Sequence, residues 1–274
     1  MLEAEKLKKK LTEWLKKHYP KIQLLKENSL PKTKKLSPDL LIVLGGDGTI
    51  IEAAQKYQRF NPLIFGLNLG HVGFLASVRD RKNFISGLRK VIRQKFHTFP
   101  RLMIKAVLMR RGKNIFSTYA MNDITIQSLF GMVDLRVSIA SHPIQFIHGN
   151  GVLVSTATGS TAYNLSAHGP IVMPDIKCMI LTELMDHGIP TPSMVVKRTQ
   201  TITIEIENFR KKDRFLIRES GDMADVILAA DIERVVALKK GDKIIIKKSD
   251  RFARFVELEK NYFFKSLQEK FTFR

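Results

Sequence analysis

Leu40-Leu41-Ile42-Val43-Leu44 runs directly into Gly45-Gly46-Asp47-Gly48-Thr49, and the stretch from Thr49 to Tyr57 then carries apolar residues at helical spacing. Five apolar residues without polar alternation fit a parallel strand buried on both faces. Strand, glycine turn and helix together make an α/β unit. Upstream, Leu7, Leu11, Trp14 and Leu15 alternate with lysines at helical intervals, predicting an amphipathic helix that ends before Pro20. Downstream, Leu63 to Leu67 repeats the short apolar run, and Phe84, Ile85, Leu88, Val91 and Ile92 predict a further amphipathic helix ending near Phe96.

After Pro100 the texture changes to short strands: Leu102 to Met109, Ile115 to Ala120, Ile124 to Ser128, Val133 to Ala140, Gly151 to Ser155, Ile176 to Thr182 and Ile202 to Ile206. Turn residues separate them at intervals typical of an all-β domain. A helix is expected only after Gly159. Strands near Val226 to Leu228, Arg234 to Leu238 and Lys243 to Lys247 precede a last amphipathic segment, Lys260 to Lys270. The expected domains are 1–99, α/β, and 100–258, β-rich, with 259–274 rejoining the first.

Composition narrows the function classes. The 274 residues, 44% hydrophobic, can form two cores. No apolar run approaches the roughly 20 residues of a membrane span, and Met1 to Lys10 lacks the apolar centre of a signal peptide, so a cytoplasmic setting is expected. Cys178, the single cysteine, lies in an apolar run and reads as a buried structural thiol. Lys and Arg outnumber Asp and Glu by 46 to 26, a formal charge of +20 that would attract nucleic acid, acidic membrane or a polyanionic small substrate. The charge concentrates in Lys6 to Lys35 and Arg79 to Lys113, on helix-period and loop positions with few interleaved aromatics, which is the pattern of solvated faces. Neither nucleic acid nor membrane is therefore an expected partner.

Three segments carry chemistry. In Gly45-Gly46-Asp47-Gly48-Thr49 the glycines let the backbone approach a phosphate, and the following helix offers free N–H groups and a positive dipole end. The loop has neither the Lys-Ser/Thr ending of a Walker loop nor the Gly-x-Gly-x-x-Gly spacing of a dinucleotide fingerprint. A carboxylate inside an anion-binding loop suggests a proton acceptor or a magnesium contact in phosphoryl transfer; the alternative is a tight turn in which Asp47 caps the helix. Gly151 to Ser166 crowds Ser and Thr hydroxyls into a turn, with Ala162 small enough to admit a flat ring and Tyr163 able to stack on one; the alternative is an elaborate helix cap. Asn122-Asp123 offers an amide and a carboxylate to ribose hydroxyls or to magnesium, with a plain β-turn as the alternative.

Taken together, Gly45-Gly46-Asp47-Gly48-Thr49, Gly70-His71-Val72-Gly73-Phe74-Leu75, Asn122-Asp123 and Ser155-Thr156-Ala157-Thr158-Gly159-Ser160-Thr161-Ala162-Tyr163 resemble the NAD kinase family over nearly the whole chain. The glycine-Asp loop is shared with diacylglycerol, sphingoid and phosphofructo-kinases, whereas Gly-Ser-Thr-Ala-Tyr in this order is strongly specific. The resemblance implies a Rossmann-like α/β domain with a parallel sheet, a larger all-β domain, and a last helix that returns to pack on the first. It implies Asp47 as base for the 2′-hydroxyl of the adenosine ribose of NAD, and Gly45, Gly46 and Gly48, with Thr49 beside them, for phosphate. Phe74 would lie beside the adenine, Asn122 and Asp123 would hold the ribose, and Thr158, Thr161, Ala162, Tyr163, Asn164, Leu165 and Ser166 would line the adenosine site. His148, Asn150, Met185 and His187 would face the rest of the dinucleotide. Magnesium, and ATP or inorganic polyphosphate as donor, come with the resemblance, as does a homodimer or homotetramer with NAD near a subunit interface.

The chain departs from the family pattern in four places. It opens at the first helix, where the family has a strand. His148 and Asn150 stand where the family has a basic residue and an Asp, so no negative charge would face a positive nicotinamide, which lowers the expected discrimination between NAD and NADH. Ala157 and His168 replace a Pro and a Gly. Glu183, Met185 and Asp186 replace a Pro, a small Ala and a Pro, and Met185 would narrow the pocket. Three rival readings follow: a diacylglycerol-type lipid kinase, opposed by Thr161 to Tyr163; a nucleic-acid-binding module, favoured by charge alone; and a degenerate kinase that binds dinucleotide without turnover, opposed by Asp47 and Asn122.

Overall fold

A computed structural model describes residues 2–25, 37–70, 73–209, 225–231, 234–259 and 261–271. The chain divides into two units, 1–100 with 252–274, and 101–251. His71 and Val72 of the second motif, and Lys260 of the last amphipathic segment, lie outside the described residues.

The first unit begins with helix α1, Leu2–His18, whose Leu11 and Leu15 are buried with Leu7 and Trp14 packed beside them. Strand β1, Leu40–Gly45, pairs in parallel with β2, Leu63–Asn68, in a register that sets Leu44 against Leu67 and Gly45 against Asn68. Between them runs α2, Asp47–Tyr57, and after them α3, Phe84–Ile92. The α2 helix starts at Asp47, two residues before the sequence expectation, because extended Gly46 already accepts the first helical bond, from Ile50 N–H at 3.1 Å. Helix α3 stops short of Phe96: Gln94 turns to φ +56° and Lys95 N–H bonds back to Lys90 O at 2.9 Å, a left-handed closure without a glycine.

The second unit is β-rich. Its strands are β3 (His97–Arg110), β4 (Lys113–Ala120), β5 (Asp123–Ser128), β6 (Val133–Ile139), β7 (His142–Thr156), β8 (Cys178–Asp186), β9 (Met194–Lys197), β10 (Ile202–Phe209), β11 (Val226–Ala230), β12 (Arg234–Ala237) and β13 (Lys243–Glu257). A short helix α4, Tyr163–Ser166, follows a 3₁₀ turn at Gly159–Thr161. Strand β7 organises the unit: its first half pairs with β6 and its second half with β5, both antiparallel, while β8 pairs along its other edge. The change of partner falls at Gly151, where φ is +151° and a Cβ would stand 2.0 Å from Ile126 O, so only glycine fits. One apolar cluster, including Ile104, Ile126, Leu135, Val154, Ile204 and Ile246, fills this unit's core.

The strand readings shift in three places. Ile176 belongs to a turn, with its N–H on Met173 O, so the strand expected at Ile176 to Thr182 is Cys178–Asp186, extended by pairing with Gly149 to Thr156. Strand β9 was not expected, and β7 begins nine residues before Gly151; Pro190 and Pro192 precede the one, and the early half of the other holds Pro143 and leaves Ile144 and Phe146 exposed. Back in the first unit, the last strand's final residues pair with β2, Phe255 opposite Ile64, and helix α5, Tyr262–Lys270, ends the described chain. No helix among the described residues is long and apolar enough to cross a membrane.

Candidate active site

Asp47 is the first residue of α2, and its carboxylate does not cap that helix. Instead Phe74 N–H donates to Oδ2 at 2.7 Å and Leu75 N–H to Oδ1 at 3.2 Å. Gly73 makes this possible: a Cβ there would lie 2.2 Å from Asp47 Oδ1. The glycines of the loop divide by role. Gly45 is needed internally, since a Cβ would meet Thr49 Oγ1 at 2.6 Å, whereas Gly46 and Gly48 face open space where a phosphate could approach the main chain.

Helix α5 closes over the Gly73–Phe74 loop within the same unit. The Phe74 ring is buried against Phe263, centroids 5.6 Å apart, with Lys270 Nζ 5.0 Å from its centroid. Ser266 Oγ donates to Gly73 O at 3.0 Å and accepts from Arg79, whose guanidinium also reaches Glu269 and lies over the Tyr262 ring. Burial pushes the Tyr262 hydroxyl above its usual range, Arg79 opposes the shift, and the charges of Asp47 and Glu269 add to it, which places α5 within electrostatic reach of Asp47.

In the second unit, Asn122-Asp123 is built by a residue the sequence reading missed. The Asp231 carboxylate accepts N–H bonds from Met121 at 2.7 Å, Asn122 at 2.8 Å and Asp123 at 2.9 Å. The signal available was slight: one acidic residue closing a strand, outside any motif. Asp123 itself is buried, and burial first, then the Asp231 charge, push its carboxyl up to about 7, with the Thr125 hydroxyl at 3.3 Å opposing. Around neutral pH this group can either donate or accept a hydrogen bond.

The Ser-Thr turn packs onto the same pair. Ser155 Oγ donates to Asn122 O at 3.2 Å and Thr156 Oγ1 to Met121 O at 2.6 Å; a Cβ at Gly159 would stand 2.2 Å from Asn122 O. Ser160 Oγ reaches Ala157 O at 2.7 Å and accepts from Val172 N–H at 3.0 Å. Asn164 is fully buried, donating to Pro170 O and accepting from Thr182 Oγ1 at 2.8 Å. These polar groups shape the turn. Tyr163 and Ser166 are exposed, Ala162 and Leu165 half-buried, and Thr158 and Thr161 nearly buried.

His148 and Asn150 lie on the outer face of β7. His148 Nδ1 pairs with Asp134 Oδ1 at 2.5 Å, and its carbonyl accepts His187 N–H at 2.9 Å. Gly149 lies opposite Asp186, too close to Met185 O for a side chain. Met185 has φ +48° and is 76% exposed. Glu183 binds Thr191 and Gln145. The Cys178 thiol is buried, and desolvation pushes it above its usual range.

The chain matches the ATP-NAD kinase N-terminal domain over residues 1–96 and the ATP-NAD kinase C-terminal domain over 121–258. It is 34% identical over 234 residues to the NAD kinase of Syntrophotalea carbinolica, covering 85% of this chain and 77% of that protein, and 33% identical to that of Lachnoclostridium phytofermentans, covering 84% and 79%. Among solved structures, yeast NADH kinase complexed with NADH superposes with TM-score 0.75 at 26% identity, over 86% of this chain and 66% of that one. An NAD kinase from Archaeoglobus fulgidus in complex with ATP gives 0.66 at 28% identity, over 84% and 83%.

Proposed function

The chain belongs to the NAD kinase family, and from that premise we infer that it transfers the terminal phosphoryl group of ATP to the 2′-hydroxyl of the adenosine ribose of NAD, forming NADP. The observation that carries the reading is the Asp47 carboxylate, held by two main-chain N–H groups beside the open glycines Gly46 and Gly48. A helix cap would have used that carboxylate locally. Here it is fixed beside the glycine loop that would receive phosphate, a position that suits a proton acceptor.

In the proposed step the ribose oxygen forms a bond to the terminal phosphorus, the bond from that phosphorus to ADP breaks, and the hydroxyl proton passes to Asp47. Positioning and charge do most of the work in such transfers. Gly46 and Gly48, with Thr49, would receive phosphate; Asn122 and Asp123 the ribose; Thr161, Ala162, Tyr163 and Ser166 the adenosine, with Thr158, Asn164 and Leu165 shaping their turn. The buried Phe74 would contribute chiefly the N–H that fixes Asp47. His148, Asn150, Met185 and His187 would approach the nicotinamide half, near a second subunit of a homodimer or homotetramer in the cytoplasm.

Magnesium fits as an ion carried on the donor phosphates. No cluster of three or more His, Cys, Asp or Glu side chains occurs among the described residues, while each Asp47 oxygen keeps lone pairs beyond its N–H bond, the usual division of ligands for this ion. Bound there, it would neutralise charge on the transferring phosphoryl group. Polyphosphate offers the same terminal group, and neutral Asn150 would let NADH replace NAD.

The test is NADP formation from purified protein with magnesium, ATP and NAD, repeated with NADH and with polyphosphate. Product with NAD and ATP is expected, with comparable efficiency for NADH. Calorimetric NAD binding without product from any pairing would overturn the kinase reading in favour of a dinucleotide-binding homologue.

A further inference from the structure

We propose that Ser266 on α5 is a positioning residue for Asp47, acting through the Gly73–Phe74 peptide; this rests on the reading of Asp47 as proton acceptor. The two hydrogen bonds involved belong to one peptide group. Its carbonyl, Gly73 O, accepts from Ser266 Oγ at 3.0 Å, and its N–H, on Phe74, donates to Asp47 Oδ2 at 2.7 Å. A peptide is planar and rigid, so holding the carbonyl end fixes the direction of the N–H. An accepted bond at the carbonyl also polarises the N–H and strengthens its donation.

Ser266 is arranged for this contact. It is fully buried, and its hydroxyl has two acceptors within reach, Gly73 O and Tyr262 O, each at 3.0 Å. The bond to Tyr262 O is the ordinary back-bond of a helical serine, which adds little and which alanine dispenses with. The bond to Gly73 is the one that couples the helix to the Asp47 loop. Arg79 donates to Ser266 Oγ and thereby turns the hydroxyl proton away from itself, toward the carbonyls; Arg79 is held in turn by Glu269 at 2.5 Å and by the Tyr262 ring at 4.4 Å. Helix α5 is thus tied to Asp47 through one peptide group.

The experiment measures kcat and KM for Ser266→Ala, Ser266→Thr, Asp47→Asn and the double variant Asp47→Asn/Ser266→Ala, with NADP read by enzymatic cycling so that low rates register. Ser266→Ala should lower kcat about tenfold, equivalent to roughly 1.4 kcal/mol of barrier, with both KM values within about twofold. Ser266→Thr, which keeps the hydroxyl, should recover most of the rate. In the Asp47→Asn background Ser266→Ala should cost nothing further, because there is no proton acceptor left to position. Full activity of Ser266→Ala, a loss appearing in KM, or an equal loss in the Asp47→Asn background would overturn the inference. Should Ser266→Ala fail to fold, Ser266→Cys, a weak donor of similar size, carries the same comparison. Wild-type turnover of Asp47→Asn would instead overturn the underlying reading of Asp47, so the two failures are distinct.

Discussion

Replacing Asp123 by Asn should remove a pH dependence of stability that the wild-type protein carries. Asp123 is a buried carboxyl whose proton affinity is raised from 3.8 to about 7, first by desolvation and then by the Asp231 charge. The native protein therefore keeps a proton that the unfolded chain has already released between these two values. In that window unfolding releases a proton, so the contribution to stability is fully present below about pH 3.8 and is lost as pH rises to 7. The rise from 3.8 to about 7 corresponds to roughly 4 kcal/mol over the whole window. Of this, about 2–3 kcal/mol falls between pH 5 and pH 8.

Asparagine has nearly the same shape and carries no charge to bury. Urea unfolding of both proteins, followed by the far-ultraviolet signal of the sheet, should show the wild type losing about 2–3 kcal/mol more than Asp123→Asn between pH 5 and pH 8. Because desolvation is the larger cause, the difference should persist, somewhat reduced, when Asp231 is also replaced. Parallel pH profiles for wild type and Asp123→Asn would refute the reasoning, since they would mean that Asp123 is ionised at no unusual cost.

Asp47→Asn should leave both KM values within a few-fold and lower kcat by about 10²–10⁴, the usual contribution of a general base; unchanged turnover in the NADP assay would exclude the role. Gly73→Ala would drive a methyl to within 2.2 Å of Asp47 Oδ1, so it should displace the carboxylate and cut kcat at least about tenfold while NAD binding, by calorimetry, persists. Gly159→Ala meets the main-chain oxygen of Asn122 at 2.2 Å, which cannot swing aside, and should cost about 1–3 kcal/mol in urea unfolding together with a higher KM for NAD. Asn150→Asp should shift the ratio of kcat/KM for NAD over NADH upward by about tenfold, the worth of one screened charge near a cationic ring; an unmoved ratio would take Asn150 out of the nicotinamide site.

The α/β opening was legible because periodicity and turn chemistry agree there: five apolar residues, a glycine loop and a helix are a local pattern. The β-rich region was legible in kind and less so in detail. Strand β7 was half missed because His142 to Asn150 holds Pro143 and Gly149 and leaves Ile144 and Phe146 exposed, so no apolar face alternates along it, and β9 because Pro190 and Pro192 stand before it. The hydroxyl-rich turn was legible as a motif, but its sequence could not say which hydroxyls face inward. Ser155, Thr156, Ser160 and Asn164 prove to brace the turn against Asn122, Met121, Val172 and Thr182. Asp231 and Ser266 were illegible for a different reason. Each acts on the main chain of a segment far away in sequence, at Met121 to Asp123 and at Gly73, and such contacts leave no spacing to read.

Main-chain donors also explain why the carboxylates differ in what they can do. Asp47 receives N–H groups from Phe74 and Leu75, and Asp231 receives them from Met121, Asn122 and Asp123. Each is an acid whose position the backbone fixes. Asp123 is treated in the opposite way: its carboxyl is buried beside Asp231 with the Thr125 hydroxyl at 3.3 Å, and it holds its proton to about pH 7. In the proposed ribose contact a protonated Asp123 would donate where an ionised one could only accept, so that contact would depend on pH as well as on shape. The same geometry accounts for the motifs themselves. Gly73 is fixed by the Asp47 carboxylate and Gly159 by the Asn122 carbonyl, so these glycines answer to the placing of a neighbouring polar group before any substrate arrives. Their side-chain-free positions are what allow Asp47 and Asn122 to be held rigidly, and rigid holding is what a transfer dependent on positioning requires.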